Sequence, residues 1–311
     1  MLSELERRLG VGCARSAVPL APLTTLRVGG PAEYLVEARD GRALVVAVRA
    51  ARDLGLPVTL LGGGSNVLVA DEGIRGVVVR PHGGAIEAEG DRWVRADAGV
   101  TMNSLVRWTI ARGLGGLEAW AGTPGTVGGA VFGNAHFLGQ GFGGLVARAR
   151  LLDPAGRGVE VSGPELRFAY DHSRLQETGE ILVSVVLTLS PGCDRDLLRA
   201  TARSSLALRK RTQPLHLPTA GCIFKNPDPT RQPVPHGIPA SAGALIDRAG
   251  LTGRATGGAR VSTAHANFIV NEGSATAADI LALIRLCRDE VRRAFGVELE
   301  LEIRLLGPIC L

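Results

Sequence analysis

The stretch Val58-Thr59-Leu60-Leu61-Gly62-Gly63-Gly64-Ser65-Asn66-Val67-Leu68-Val69 sets three consecutive glycines between two apolar, β-branched runs. Such flanks predict strand, loop, strand, whereas a Rossmann or P-loop site would open a helix straight after its glycines. Successive glycine N–H groups can converge on a concavity that holds a pyrophosphate without a lysine; three glycines alone also fit a tight turn. Upstream, residues 32–38 read as a strand and 42–54 as an amphipathic helix, an α/β rhythm. Downstream, short strands at 76–80 and 93–96 precede a helix at 101–112. A second glycine-rich segment, 113–144, leads into strands at 146–152, 159–161 and 181–189, and Pro191-Gly192 marks a boundary. The last third is more helical, with a helix at 194–210, a proline-rich loop at 214–239 whose part 228–239 reads as a surface insertion, and a long helix over 277–295. Thr276 and Asp279 form a capping box for that helix, Ile280, Leu283, Ile284, Cys287, Val291 and Phe295 share one face, and Gly296 stops it.

Composition narrows the classes. A chain of 311 residues is long enough for more than one core. Glycine plus proline total 59, short of a low-complexity composition. The longest nearly apolar stretch, 181–189, is far below the roughly 20 residues of a membrane helix. The start, MLSELERRLG, carries charges of both signs and no apolar run, so a cytoplasmic address is expected. Five cysteines with no C-x-x-C pair, and six histidines with no H-E-x-x-H, argue against a disulfide framework and against a metal site. The net charge of +5 is spread over scattered arginines, and 4% aromatics give no stacking platform, so small anionic ligands fit better than nucleic acid. Only Lys210 and Lys225 are lysines.

A second cluster, Ala121-Gly122-Thr123-Pro124-Gly125-Thr126-Val127-Gly128-Gly129-Ala130, repeats the glycine chemistry with hydroxyls at Thr123 and Thr126 and a fixed φ at Pro124. Two such loops suit one long dinucleotide. Together with Thr24-Thr25-Leu26-Arg27-Val28-Gly29-Gly30, the ordered set resembles the FAD-binding domain of the vanillyl-alcohol-oxidase (PCMH) type, in which flavin lies across two subdomains. The resemblance implies noncovalent FAD contacts at Arg27, Gly29 and Gly30, at Gly62, Gly63, Gly64, Ser65 and Asn66, and at Gly122, Thr123, Pro124, Gly125, Thr126, Gly128, Gly129 and Ala130.

The last third carries Pro218-Thr219-Ala220-Gly221-Cys222-Ile223-Phe224-Lys225-Asn226-Pro227, then Ala244-Leu245-Ile246-Asp247, Gly250-Leu251-Thr252-Gly253, Val261-Ser262 and His265-Ala266-Asn267-Phe268-Ile269-Val270-Asn271. With these the chain resembles the UDP-N-acetylenolpyruvoylglucosamine reductase family over nearly its whole length. Having only Tyr34 and Tyr170, it resembles the shorter-loop class. The implied fold is α+β: FAD-binding subdomains at 1–80 and 81–190, a C-terminal α/β substrate-binding domain at 191–298, and a strand at 299–307 returning to the first subdomain. The implied activity is bacterial cell-wall chemistry, in which NADPH reduces FAD and the flavin reduces the enolpyruvyl ether of a UDP-sugar. A monomer that binds neither membrane nor nucleic acid is expected.

Hydride addition to the alkene leaves negative charge beside the substrate carboxylate, to be spread into an enolate and then protonated. The resemblance assigns the acid to Cys222, and a thiol of reference pKa about 8.5 keeps its proton at neutral pH. It assigns enolate stabilisation to Glu302, with Glu298 and Glu300 as neighbours in an alternating strand, and contacts to the UDP-sugar to Tyr170, Lys225 and Asn226. One departure stands out. The family runs F-x-Y-R-x-S, its Arg contacting the substrate carboxylate, but here the run is Phe168-Ala169-Tyr170-Asp171-His172-Ser173-Arg174. Asp171 is therefore expected to point away and Arg174 to enter the site, with Arg260 as the fallback cation. Two rivals stay open. One is another flavoenzyme of this fold, for which the nearest covalent attachment candidates, His82 and His136, lack an attachment motif; the other is a nucleotide-binding homologue without chemistry.

Overall fold

Val77, Val78 and Val79 are fully buried, as a strand covered on both faces requires. They lie in the Ile74–Pro81 strand of a four-stranded sheet ordered Ala14–Pro19, Pro31–Ala38, Ile74–Pro81, Val58–Leu60. Val58–Leu60 runs parallel to Ile74–Pro81, with Val58 opposite Val77. The Gly41–Asp53 helix starts at Asp40, whose carboxylate accepts from the Ala43 N–H at 2.7 Å, and it buries Leu44, Ala47, Val48 and Ala51. The computed structural model describes residues 1–137 and 139–311.

Two compact units emerge, and neither is continuous in sequence: 1–17, 33–63 and 76–208 make one, and 18–32, 64–75 and 209–311 make the other. The first also holds a five-stranded antiparallel sheet ordered Gly158–Ser162, Val146–Leu152, Ile181–Thr188, Trp93–Asp97, Ile86–Glu89. Its middle strand is buried at every position but the last, which is why 181–189 is an unbroken apolar run rather than an alternating one. The helices Gly41–Asp53 and Val127–Phe132 both pack on that strand. Trp120 meets Phe142 edge-on at 5.7 Å inside the same core.

The second unit has its own core, built on Ile223, Phe224, Leu245, Ile246, Ile280, Leu283 and Ile284. A four-stranded sheet, ordered Thr219–Cys222, Phe268–Asn271, Ala259–Val261, Ala255–Thr256, carries the Ala277–Phe295 helix against it. Cys287 is 1% exposed, and burial pushes its thiol up to about 12. Val67–Val69 pairs in parallel with Arg304–Leu306, Val67 opposite Arg304. No helix among the described residues is long and apolar enough to cross a membrane.

Three local expectations change. The proline-rich loop contains the Thr219–Cys222 strand, which fits between Pro218 and Pro227. The second glycine-rich segment contains the Val127–Phe132 helix, opened by the Thr126 hydroxyl. The alternating strand over 298–302 is not a regular strand: Leu301 bridges Phe224, and the chain then changes partner to pair with Val67–Val69 only from Arg304.

Asp71 secures the start of the long helix, its carboxylate accepting from the Ala277 and Ala278 N–H groups at 2.8 and 3.0 Å beside the Thr276–Asp279 capping box. Asp71→Ala should lower stability by about 1–2 kcal/mol. Urea unfolding should show the loss as a lower midpoint at unchanged slope.

Candidate active site

The glycines of the first motif are there for close approach. A Cβ on Gly29 would stand 2.7 Å from the Val69 Cβ, and one on Gly30 only 2.0 Å from the Asp71 carbonyl oxygen. Arg27 has a left-handed φ of 58°, and its guanidinium donates to the Pro22 carbonyl at 3.2 Å. The Thr25 N–H donates to the Gly64 carbonyl at 3.0 Å, so the first motif and the glycine loop touch. Gly64 has φ 61°, and a Cβ there would meet the Leu23 carbonyl oxygen at 2.3 Å. In the first unit, Cβ atoms on Gly62 and Gly63 would lie 2.6 Å from Thr126 Oγ1 and from the Gly125 Cα. The two glycine clusters therefore pack backbone to backbone. None of the N–H groups from Gly62 to Asn66 has an acceptor among the described residues. Successive donors of this kind suit a phosphate group, which takes N–H groups and needs no lysine.

The second cluster is not an equivalent nest. The Gly122 N–H donates to Asn103 Oδ1 at 2.8 Å, the Val127 and Gly128 N–H groups to the Val100 and Ala98 carbonyls at 2.8 Å, and the Gly129 N–H to Thr126 Oγ1 at 3.3 Å. These donors are used in starting the Val127–Phe132 helix and pinning it to residues 98–100. Asn103, on the first turn of the Met102–Ala111 helix, has no sequence signal that would have marked it.

Cys222 ends the Thr219–Cys222 strand just past a bulge. Thr219 faces Val270 and Cys222 faces Phe268, which leaves one extra residue on the Cys222 side. Gly221 takes φ 84° there, and a bulge with a left-handed glycine re-aims the residue that follows. Ile223 and Phe224 are buried, and Asn267, 3% exposed, holds them from one side. Its Oδ1 accepts from the Phe224 N–H at 3.0 Å, its Nδ2 donates to the Phe224 carbonyl at 2.8 Å, and its own carbonyl accepts from the Ile223 N–H at 2.8 Å. From the other side, the Lys225 N–H donates to the Glu300 carbonyl and the Glu302 N–H to the Ile223 carbonyl, each at 2.9 Å. The segment of Cys222 and Lys225 is thus hydrogen-bonded to the segment of Glu302. Glu298 and Glu300 are exposed while Glu302 is half-buried. Asn226 Oδ1 accepts from the Ala242 N–H at 3.1 Å at the start of the Ala242–Arg248 helix.

Arg174 and Asp171 each have a partner of opposite character. Arg174 places Nε and Nη2 on the Glu180 carboxylate at 2.9 and 2.8 Å and Nη1 on the Glu165 carbonyl at 3.1 Å, so its charge is already matched by a planar pair. Arg260 is likewise held by Glu272 at 2.8 Å. Asp171 is 8% exposed and meets His136 Nδ1 at 3.0 Å. Ala169 and His172 close a tight turn with Tyr170 and Asp171 at its tip, Asp171 at φ 49°. The half-exposed Tyr170 ring lies 4.9 Å from the imidazole.

Two packed glycine loops on an α+β frame, together with a second unit that has its own core, are the frame of a flavin-dependent oxidoreductase, the class that the comparisons support. Residues 32–162 match the FAD binding domain, and residues 213–306 match the UDP-N-acetylenolpyruvoylglucosamine reductase C-terminal domain. The chain is 43% identical to UDP-N-acetylenolpyruvoylglucosamine reductase 2 of Symbiobacterium thermophilum over 95% of its length and 93% of that protein. It is 44% identical to the reductase of an Anaeromyxobacter species over 98% of its length and 92% of that one. The crystal structure of UDP-N-acetylenolpyruvylglucosamine reductase from Thermus caldophilus superposes with a TM-score of 0.76 at 34% identity, covering 94% of this chain and all of that one. The chain belongs to the UDP-N-acetylenolpyruvoylglucosamine reductase family, FAD-dependent enzymes with NADPH as reductant.

Asn267→Ala should cost about 2–4 kcal/mol, because it removes two hydrogen bonds and leaves both polar groups of Phe224 buried without a side-chain partner. Thermal unfolding would measure it, and retention of the wild-type midpoint would show that the segment holds itself. Arg174→Ala should act on stability, by about 2–4 kcal/mol from the unpaired Glu180 left behind. Stopped-flow flavin oxidation of the folded fraction should be unchanged.

Proposed function

We propose that the chain catalyses NADPH-dependent reduction of UDP-N-acetylglucosamine enolpyruvate to UDP-N-acetylmuramate, a step of peptidoglycan precursor synthesis, as a cytoplasmic monomer holding FAD noncovalently. The observation that carries this reading is the backbone pairing of residues 223–225, next to Cys222, with residues 300–302. The N–H groups of Gly62 to Asn66 would hold the FAD pyrophosphate, while Arg27, Gly29, Gly30 and the 122–130 loop shape the cradle around it. Bound FAD, once reduced, supplies hydride to the terminal alkene carbon.

Cys222 then delivers a proton to the carbon beside the carboxylate, so that hydride and proton together saturate the double bond. A neutral thiol suits that task better than an ammonium, because with a reference pKa of about 8.5 against about 10.4 it gives up its proton more readily. Glu302, when it carries a proton, can donate to the enolate oxygen; its half-buried setting strengthens such a bond. Lys225 contributes a compact cation for the UDP phosphates, and Tyr170 an exposed ring for the sugar nucleotide. Asn226, with Oδ1 engaged by a helix start, would line the region that takes that ligand.

Purified protein should be yellow, should release flavin on acid precipitation, and should oxidise NADPH in proportion to added enolpyruvyl substrate. Protein that takes up no FAD would overturn the reading. Cys222→Ala should still allow NADPH to reduce the flavin but slow product formation by about 10²- to 10⁴-fold, with Cys222→Ser retaining substantial turnover. Near wild-type product formation by the alanine variant would move the proton to another group.

A further inference from the structure

Asn66 ends the glycine loop, and its polar groups face the segment that carries Glu302. The side-chain Nδ2 donates to the Glu302 carbonyl at 3.1 Å, and the Asn66 carbonyl accepts from the Arg304 N–H at 3.0 Å. On the far side of the same peptide, the Glu302 N–H donates to the carbonyl of Ile223, the residue after Cys222, at 2.9 Å. Glu302 sits in a bend between the Leu301 bridge to Phe224 and the Arg304–Leu306 strand. A regular strand would be held by a ladder along its length; here the N–H and the carbonyl of one residue take partners from two different segments.

We propose that Asn66 is a positioning residue for Glu302, and through it for the spacing of Glu302 from Cys222, rather than a side-chain contact of the cofactor. The proposal rests on the reading above, in which Cys222 and Glu302 act on the same reduced carbon skeleton. Three features support it. The backbone N–H groups of residues 62–66 suffice as pyrophosphate donors, so the amide side chain is not needed there. An asparagine supplies what a serine or alanine lacks, an N–H donor that reaches the carbonyl of a neighbouring segment while its own carbonyl stays in the parallel pair. A misplacement on the order of 1 Å at a reacting group can cost about 10²-fold in rate, which makes a two-point clamp on a bend consequential for chemistry rather than for binding.

The test separates the two half-reactions. In Asn66→Ala, transfer from reduced flavin to the enolpyruvyl substrate should slow by about 10- to 100-fold. The rate of flavin reduction by NADPH, the KM for the UDP-sugar and the Kd for FAD, titrated on flavin-free protein, should stay within about twofold of wild type. Asn66→Asp, of the same size but with an acceptor facing the Glu302 carbonyl, should be at least as slow and serves if the alanine variant does not fold. In the flavin-free protein, amide exchange at Arg304 should quicken in both variants. With Glu302→Gln already in place, adding Asn66→Ala should cost less than about twofold more, whereas independent effects would multiply. The proposal is overturned if FAD binding weakens while the saturated variant keeps the wild-type transfer rate, if the double variant shows the product of the two effects, or if every rate is unchanged. Wild-type protein that does not reduce the enolpyruvyl substrate at all overturns the parent reading, a result distinct from any confined to the variants.

Discussion

The hydrogen bond from the Glu302 N–H to the Ile223 carbonyl is the contact that ties the end of the chain to the segment after Cys222 in the second unit. Buried backbone groups must be paired, and the regular sheet stops at Cys222. Beyond it, pairing is taken over by Asn267 on one side and by residues 300–302 on the other. Ile223 and Phe224 are 0% and 1% exposed, so the segment cannot slip by one residue without turning one of them toward water. Hydrophobic burial fixes the register, and the hydrogen bonds fix the distances. Cys222 and Lys225, which flank the buried pair, are consequently placed by residues that do no chemistry.

The glycine loops follow a related logic. Their conformational freedom matters at Gly64, but at Gly62 and Gly63 the requirement is steric, since the neighbouring cluster already occupies the space of a Cβ. Of the two loops packed this closely, one has N–H groups with no acceptor among the described residues. The other uses its donors on Ala98, Val100 and Asn103 and becomes the support. Similar composition thus gives two different jobs, decided by whether a helix starts at once, as it does after Thr126.

Elements set by local sequence were legible. The Ala277–Phe295 helix, its capping box and its stop, and the Val146–Leu152 and Ile181–Thr188 strands depend on periodicity and on short-range partners. What depends on distant partners was not. Val67–Val69 and Arg304–Leu306 pair across most of the chain, and the bend at Glu302 arises from a change of partner that no local pattern records. The interleaved segments of the two units are invisible to a linear reading for the same reason. At the site, Cys222, Lys225 and Glu302 could be picked out because a family motif singles out their segments. Asn267 lies within such a motif but acts through backbone groups, so its weight appears only once its partner Phe224 is seen.

Arg174 is matched by a partner that the sequence did contain. Glu180 lies six residues on, across the short Leu175–Thr178 helix, close enough for a paired guanidinium–carboxylate contact. The carboxylate at 171 then had to be satisfied elsewhere, because an acid only 8% exposed is costly unless a donor meets it. His136 is that donor partner at 3.0 Å, presented from the His136–Phe137 strand that follows the second glycine cluster. The turn at Ala169–His172 completes the fit, since Asp is among the residues that tolerate φ 49° and Tyr170 is left at the tip beside the imidazole. Asp171 and His136 therefore belong to one structural unit. An arginine introduced at 171 alone would replace the carboxylate that meets the imidazole with a group that has donors only, so the departure from the family pattern at 171 is intelligible only together with the histidine at 136.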